Sequence, residues 1–270
     1  MKNFTLILIS SFVTFVSSQN SQFPPIKGNE DDPLRIIGGS QVSEGQLPYQ
    51  ILLLNQGQLT CGGSFISVKG VHFVLTAAHC LQDVNNPSRY IVVAGEVDRT
   101  TTSGHEQRRF VTRIFVHRQY SAQSYANDIA LLAINKPFEV NKYVAPISLP
   151  RQGQTTTGDV IVSGWGYTTA FGMVGARFLQ QVRVSVINHR VCKKLYPFRR
   201  VLSSMICAGV LRGGMDSCNG DSGGPLRAVN GGYLAGIVSW GTICALPLQP
   251  GVYTQVSYFV NWIEQQASSL

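Results

Sequence analysis

Long apolar runs are scarce in this chain of 270 residues. The one clear case, Phe4 to Val16 behind Lys2, is too short for a bilayer, which takes about 20 apolar residues. Val16-Ser17-Ser18 at its end offers the small residues of a signal-peptidase cut, so residues 1–18 read as a signal peptide and the chain is expected to be secreted, with no membrane anchor. Metal-ligand spacings are also missing. There is no CxxC pair and no HExxH helix, so the 6 cysteines of an exported chain point to disulfides, although spacing alone does not choose the pairing. No Asn-x-Ser/Thr acceptor occurs after the signal segment, which excludes N-glycosylation. Internal repeats, heptads and low-complexity tracts are absent from residues 36–270, which excludes solenoids and coiled coils. Acidic residues are few, 14 against 22 Lys and Arg, for a net charge of +8. Within the first 35 residues Lys2, Lys27 and Arg35 cancel Glu30, Asp31 and Asp32, so the whole excess belongs to residues 36–270.

The chain has a 44% hydrophobic composition, enough to bury a large core. Residues 19–35, with Pro24-Pro25, Gly28, the acidic run and Pro33, cannot build one and read as a detachable pro-segment. All six cysteines lie beyond Arg35, so no disulfide tethers it. From Ile36 onward, short β-branched and aromatic runs alternate with Gly, Pro, Asn and Ser turns: Tyr49 to Leu54, Gly63 to Ser67, Phe73 to Thr76, Tyr90 to Ala94, Phe110 to Val116, Ile129 to Ile134, Val160 to Ser163, Val182 to Ile187, Tyr233 to Trp240 and Val252 to Val256. That rhythm predicts an all-β antiparallel sandwich or barrel. Only two stretches look helical: a turn capped by Asn188 carrying Val191, Cys192 and Leu195, and a C-terminal helix with Val256, Phe259, Val260 and Ile263 on one face.

Gly220-Asp221-Ser222-Gly223-Gly224-Pro225 presents a hydroxyl on a turn too glycine-rich to be mere packing. A serine hydroxyl attacks at neutral pH only with a base, an orienting acid and donors for the oxyanion it creates. With Ile36-Ile37-Gly38-Gly39, Thr76-Ala77-Ala78-His79-Cys80, Asp128-Ile129-Ala130-Leu131-Leu132 and Asp216-Ser217-Cys218-Asn219 preceding that turn, the chain resembles the trypsin-like serine endopeptidases of the chymotrypsin fold, in order from residue 36 to the C-terminus. The resemblance implies two six-stranded antiparallel β-barrels with the site in the cleft between them, closed by a C-terminal helix.

It also implies roles. His79 would be the general base, Asp128 the acid that orients it and Ser222 the nucleophile, with the Gly220 and Ser222 N–H groups forming the oxyanion hole. Cutting after Arg35 would free the Ile36 ammonium to pair with Asp221, ordering the site. Asp216 would sit at the base of the specificity pocket and pair with substrate Arg or Lys. Ser217, Gly241, Gly251 and Tyr253 would line that pocket, and Ser239 and Trp240 would belong to the strand that pairs with substrate backbone, Ser239 also touching Asp128. Tyr125 would narrow the neighbouring subsite. The implied disulfides are Cys61 with Cys80, Cys192 with Cys207, and Cys218 with Cys244. The domain plan is thus signal peptide 1–18, activation pro-segment 19–35 and peptidase domain 36–270.

Some residues depart from the family pattern. Ile243 replaces a glycine common in trypsins and would narrow the pocket entrance; Leu59 stands where several relatives carry a histidine that restrains the zymogen. Glu96, Asp98 and Glu106 fall on a loop that binds calcium in some relatives, with a plain solvated loop as the competing reading; no cofactor is required. The basic clusters Arg108, Arg109, Arg113, Arg118 and Lys193, Lys194, Arg199, Arg200 are candidates for a polyanion exosite. The expected partners are polypeptides with Arg or Lys before the cut bond, an activating protease and protein protease inhibitors, and the expected state is a monomer. The alternative from another class is a catalytically silent homologue that binds a polyanion or a protein through the same scaffold.

Overall fold

The computed structural model describes residues 39–166, 175–214, 220–241 and 246–270. After a short strand β1 (Ser40–Gln41), six strands form the first barrel: β2 (Gln50–Asn55), β3 (Gln58–Val68), β4 (Val71–Thr76), β5 (Tyr90–Ala94), β6 (Gln107–Val116) and β7 (Ala130–Ile134). Their order, β2-β3-β4-β7-β6-β5, closes because β5 pairs back onto β2. Both tight hairpins are written locally. Gln56 and Gly57 between β2 and β3, and Lys69 and Gly70 between β3 and β4, all take positive φ, the twist that lets two-residue loops join right-twisted strands.

The second barrel is built from β8 (Asp159–Gly164), β9 (Gln180–Ile187), β10 (Met205–Gly209), β11 (Pro225–Ala228), β12 (Leu234–Trp240) and β13 (Gly251–Gln255). Here β8 pairs with both β9 and β11, closing the ring β8-β9-β10-β13-β12-β11, while β1 adds to the outside of β9. Helix α1 (His189–Leu195) is capped by the Asn188 side chain, which accepts from Arg190 N at 2.9 Å, and α2 (Val260–Ala267) closes the chain. The fold is therefore the expected pair of six-stranded antiparallel barrels.

Three strands lie outside the expected runs. β1 is too short to show periodicity, β10 interleaves Cys207 and Ala208 with few β-branched residues, and β11 starts on Pro225, tolerated because a first strand position need not donate. The terminal helix starts at Val260 rather than Val256, since Val256–Tyr258 forms a 3-10 turn closed by Phe259 N on Val256 O. On α1, Val191 is exposed and Cys192 carries the buried face.

Each barrel has its own filling: Ile51, Leu53, Phe65, Phe73, Leu75 and Leu131 among others in the first, and Val160, Val182, Ile206, Leu226 and Tyr253 in the second. The continuous apolar run of β7 is buried from Ala130 to Ala133, as expected of a strand covered on both faces. Between the barrels run directional bonds. Ser163 Oγ on β8 donates to Gln50 Oε1 on β2 at 2.7 Å, and Gly62 N on β3 donates to Ser222 O at 2.8 Å.

Candidate active site

β4 ends at Thr76 and the chain tightens into a 3-10 turn, Ala78–Cys80, with His79 in its middle. The Cys61–Cys80 disulfide ties that turn to β3, and Cys192–Cys207 ties α1 to β10. Two of the three expected pairings are therefore present; the third, Cys218 with Cys244, lies outside the described residues. Cys61, His79 and Cys80 form the one His/Cys/Asp/Glu group within metal-ligand range among the described residues, but their disulfide leaves no thiolate for an ion.

Asp128 is fully buried. Its Oδ1 accepts from the His79 backbone N–H at 2.9 Å; its Oδ2 accepts from His79 Nδ1 at 2.7 Å and from Ser239 Oγ at 2.6 Å. Three donors on one carboxylate offset the cost of burying it. Because a carboxylate only accepts, His79 carries its proton on Nδ1 and leaves Nε2 free to take another. Thr254 Oγ1 on β13 completes the cradle by donating to the Asp128 carbonyl at 2.7 Å.

Two backbone features aim these groups, and neither is visible as a motif. Tyr125 and Asn127 take φ of +54° and +53°, a left-handed conformation that costs a non-glycine residue roughly 1–2 kcal/mol. Asn127 Nδ2 donates to Gln119 O at 2.9 Å and holds the bend, so Asp128 leaves the turn facing His79; the Tyr125 ring meets the His79 imidazole edge-on at 5.6 Å. In β12 the pairing to β13 slips between Val238 and Trp240, which makes Ser239 the extra residue of a bulge. The bulge turns Ser239 toward Asp128, as bulges beside functional sites do.

The Ser222 turn is wedged between the barrels. Gly223 N donates to Val238 O at 2.8 Å and Gly224 N to Asp221 O at 2.9 Å. A Cβ on Gly223 would lie 2.2 Å from Thr76 Oγ1 and 3.1 Å from Cys80 Sγ, so the residue after Ser222 abuts the turn that carries His79. Ser222 itself is partly exposed. Gly220, at φ +95°, would put a Cβ 2.9 Å from Gly166 Cα; only glycine fits. Asp221 is fully buried, with Gly166 N donating to its Oδ1 at 2.8 Å, and a Cβ on Gly164 or Gly166 would strike its carboxylate.

Ser239 and Trp240 close β12, Gly251 opens β13, and Tyr253 is buried within it. Gly241 comes directly after β12, and among the described residues nothing lies within 4 Å of where its Cβ would be. Arg35, Ile36, Asp216, Ser217 and Ile243 lie outside the described residues.

The acidic loop does not gather its carboxylates into one ligand set. Glu96 is buried with Oε1 unpartnered among the described residues; burial, then the nearby Glu106, pushes its carboxyl up to about 8. Asp98 is committed elsewhere. Burial works against its ionisation, but two 2.9 Å bonds from Arg177 and others from Thr100 and Thr101 outweigh it and hold the group well below the usual range. Glu106 closes its own turn by accepting from Ser103 N and Gly104 N. Arg99 completes a reciprocal strap by donating to Gly175 O and Ala176 O, each at 2.8 Å. An ion on this loop would have to be held without Asp98.

The comparisons with known proteins agree with this geometry. The family model described as Trypsin matches residues 36–263. Trypsin-1 of Astacus astacus is 45% identical over 240 residues, covering 86% of this chain and 100% of that protein. Trypsin of Sus scrofa is 40% identical over 235 residues (87% and 96%), and coagulation factor IX of Oryctolagus cuniculus 42% identical over 242 residues (87% and 85%).

Proposed function

This chain belongs to the trypsin family of serine endopeptidases, and from that premise we propose that it is a secreted zymogen, activated by cleavage at Arg35-Ile36, that hydrolyses peptide bonds after Arg or Lys. The observation that carries the reading is the buried Asp128 holding His79 Nδ1 at 2.7 Å beside the Ser222 turn.

His79 Nε2 takes the Ser222 proton as Oγ attacks the scissile carbonyl, and the tetrahedral oxyanion is met by the Gly220 and Ser222 N–H groups. The imidazolium, stabilised by Asp128, then gives its proton to the leaving amine, which departs and leaves an acyl group on Ser222. Water repeats the sequence, losing its proton to His79, and releases the new carboxylate. No cofactor takes part. Asp216 at the pocket base supplies the charge that selects Arg or Lys, and Gly241 keeps the pocket wall open.

Activation obeys the same electrostatics. Asp221 is buried against Gly164 and Gly166, where a carboxylate needs a cation, and the Ile36 ammonium released by the cut supplies one. In this plan residues 1–18 are the signal peptide and residues 19–35 the pro-segment. Partners are polypeptide substrates, an activating protease and protease inhibitors, and the enzyme acts as a monomer. Nothing in the site favours the silent binding module, since the His79–Asp128 pair is intact and the Ser222 turn abuts it.

The test is hydrolysis of chromogenic peptides that differ only at the residue before the cut, before and after cleavage at Arg35, alongside Ser222→Ala. Arg and Lys peptides should be cut only by the processed, unmutated protein. Equal hydrolysis by Ser222→Ala would remove the nucleophile from the scheme.

A further inference from the structure

The basic residues that form two clusters in the sequence behave differently in space. Arg109 is buried, donating to Lys136 O and Pro137 O with its guanidinium 5.3 Å from the Phe138 ring centroid. Arg113 lies over the Phe115 ring at 5.3 Å. The buried Arg109 thus serves the first barrel rather than an anion, and Arg113, though exposed, spends a donor on Ser269 O. Lys193, Lys194, Arg199 and Arg200 are all exposed, and among the described residues none of the ion pairs reaches them.

Beyond α1 the chain shapes an open groove of about 490 Å³ with no acidic residue in its lining among the described residues. Phe198 stands in it at 99% exposure, an apolar wall that no other side chain among the described residues covers. The Arg199 guanidinium lies 5.2 Å over the Trp240 ring, and Tyr196 braces the same ring edge-on at 5.0 Å. Stacking on an aromatic face fixes a guanidinium without consuming its five N–H donors, which stay available to an incoming acceptor.

We propose that Arg199, supported by Arg200, makes this protease favour polypeptides carrying Asp or Glu three or four residues before the cut bond. The inference rests on the reading of β12 as the substrate-pairing strand, along which the upstream residues of a bound polypeptide would pass Trp240 and so come beside Arg199. A substrate carboxylate there meets a positioned fork of donors with no competing acid in the groove, and the Phe198 wall limits its solvation.

The experiment uses the activated enzyme and peptides with a fixed Arg before the cut bond and Glu, Gln or Lys three or four residues upstream. The Glu-to-Gln ratio of kcat/KM should be about threefold to fivefold at low salt, the range of a partly solvated ion pair, and should shrink as ionic strength rises. Arg199→Gln should bring the ratio toward one and Arg199→Glu should turn it in favour of Lys. A ratio near one in the unmutated enzyme, or one that Arg199→Glu leaves unchanged, would overturn the specificity inference. Failure to cut any basic-site peptide would instead strike the protease reading itself.

Discussion

Replacing Asp128 by Asn tests how the site sets the state of its histidine. Asp128 is met by three donors: His79 N at 2.9 Å on Oδ1, and His79 Nδ1 at 2.7 Å and Ser239 Oγ at 2.6 Å on Oδ2. An amide offers only one accepting oxygen. The backbone N–H of His79 cannot turn away or become an acceptor, so it claims that oxygen and leaves the NH₂ facing Nδ1. The imidazole must then accept at Nδ1 and carry its proton on Nε2, the nitrogen that takes the Ser222 proton in the proposed mechanism. Ser239 can adapt by rotating its hydroxyl. Folding should therefore suffer little, about 1–2 kcal/mol for the lost charge assistance, while kcat/KM for an Arg peptide falls about 1,000- to 10,000-fold at neutral pH, or about 4 to 5.5 kcal/mol of barrier. The assay pairs those kinetics with nitrogen-15 NMR of the imidazole. A loss below tenfold, or a variant whose Nδ1 remains protonated, would refute the tautomer mechanism.

Contacts away from the reacting atoms give two further expected outcomes. Gly223→Ala should destabilise the fold by about 3 kcal/mol or more in urea denaturation, because its Cβ would sit 2.2 Å from Thr76 Oγ1 at φ +76°; a loss under about 1 kcal/mol would mean the turn relaxes freely. Arg177→Gln should cost about 1 kcal/mol near neutral pH and progressively less as pH falls below about 4, since Asp98, whose folded pKa is depressed, adds stability when ionised and loses that advantage on protonation; a difference independent of pH would detach Asp98 from Arg177.

The barrels were legible because short β-branched and aromatic runs such as Tyr90 to Ala94, buried along their whole length, fall between strong turn signals, and the hairpin at Lys69-Gly70 carries its own geometry. The candidate site was legible in part: the sequence brings His79 and Asp128 forward and the structure bonds them, and the glycine pattern around Ser222 has a steric cause, Gly223 most plainly. What stayed hidden depends on pairing between distant strands. The bulge at Ser239 exists only in the register of β12 on β13, and the left-handed turn at Tyr125 and Asn127 uses residues that do not advertise positive φ. Charge was the least legible property, because a run of arginines in the sequence does not distinguish buried Arg109 from exposed Arg199.

The bonds that cross from one barrel to the other, Ser163 to Gln50, Gly62 to Ser222 and Thr254 to Asp128, work as an indexed joint. Hydrogen bonds lose strength steeply with misalignment, whereas apolar contacts tolerate sliding. A chimera that kept each half's interior but mismatched this seam would still fold into two halves, yet hold its nucleophile and base out of step. Insertions in the outer loops leave the joint untouched, and so the scaffold can change what it cuts without relearning how to cut.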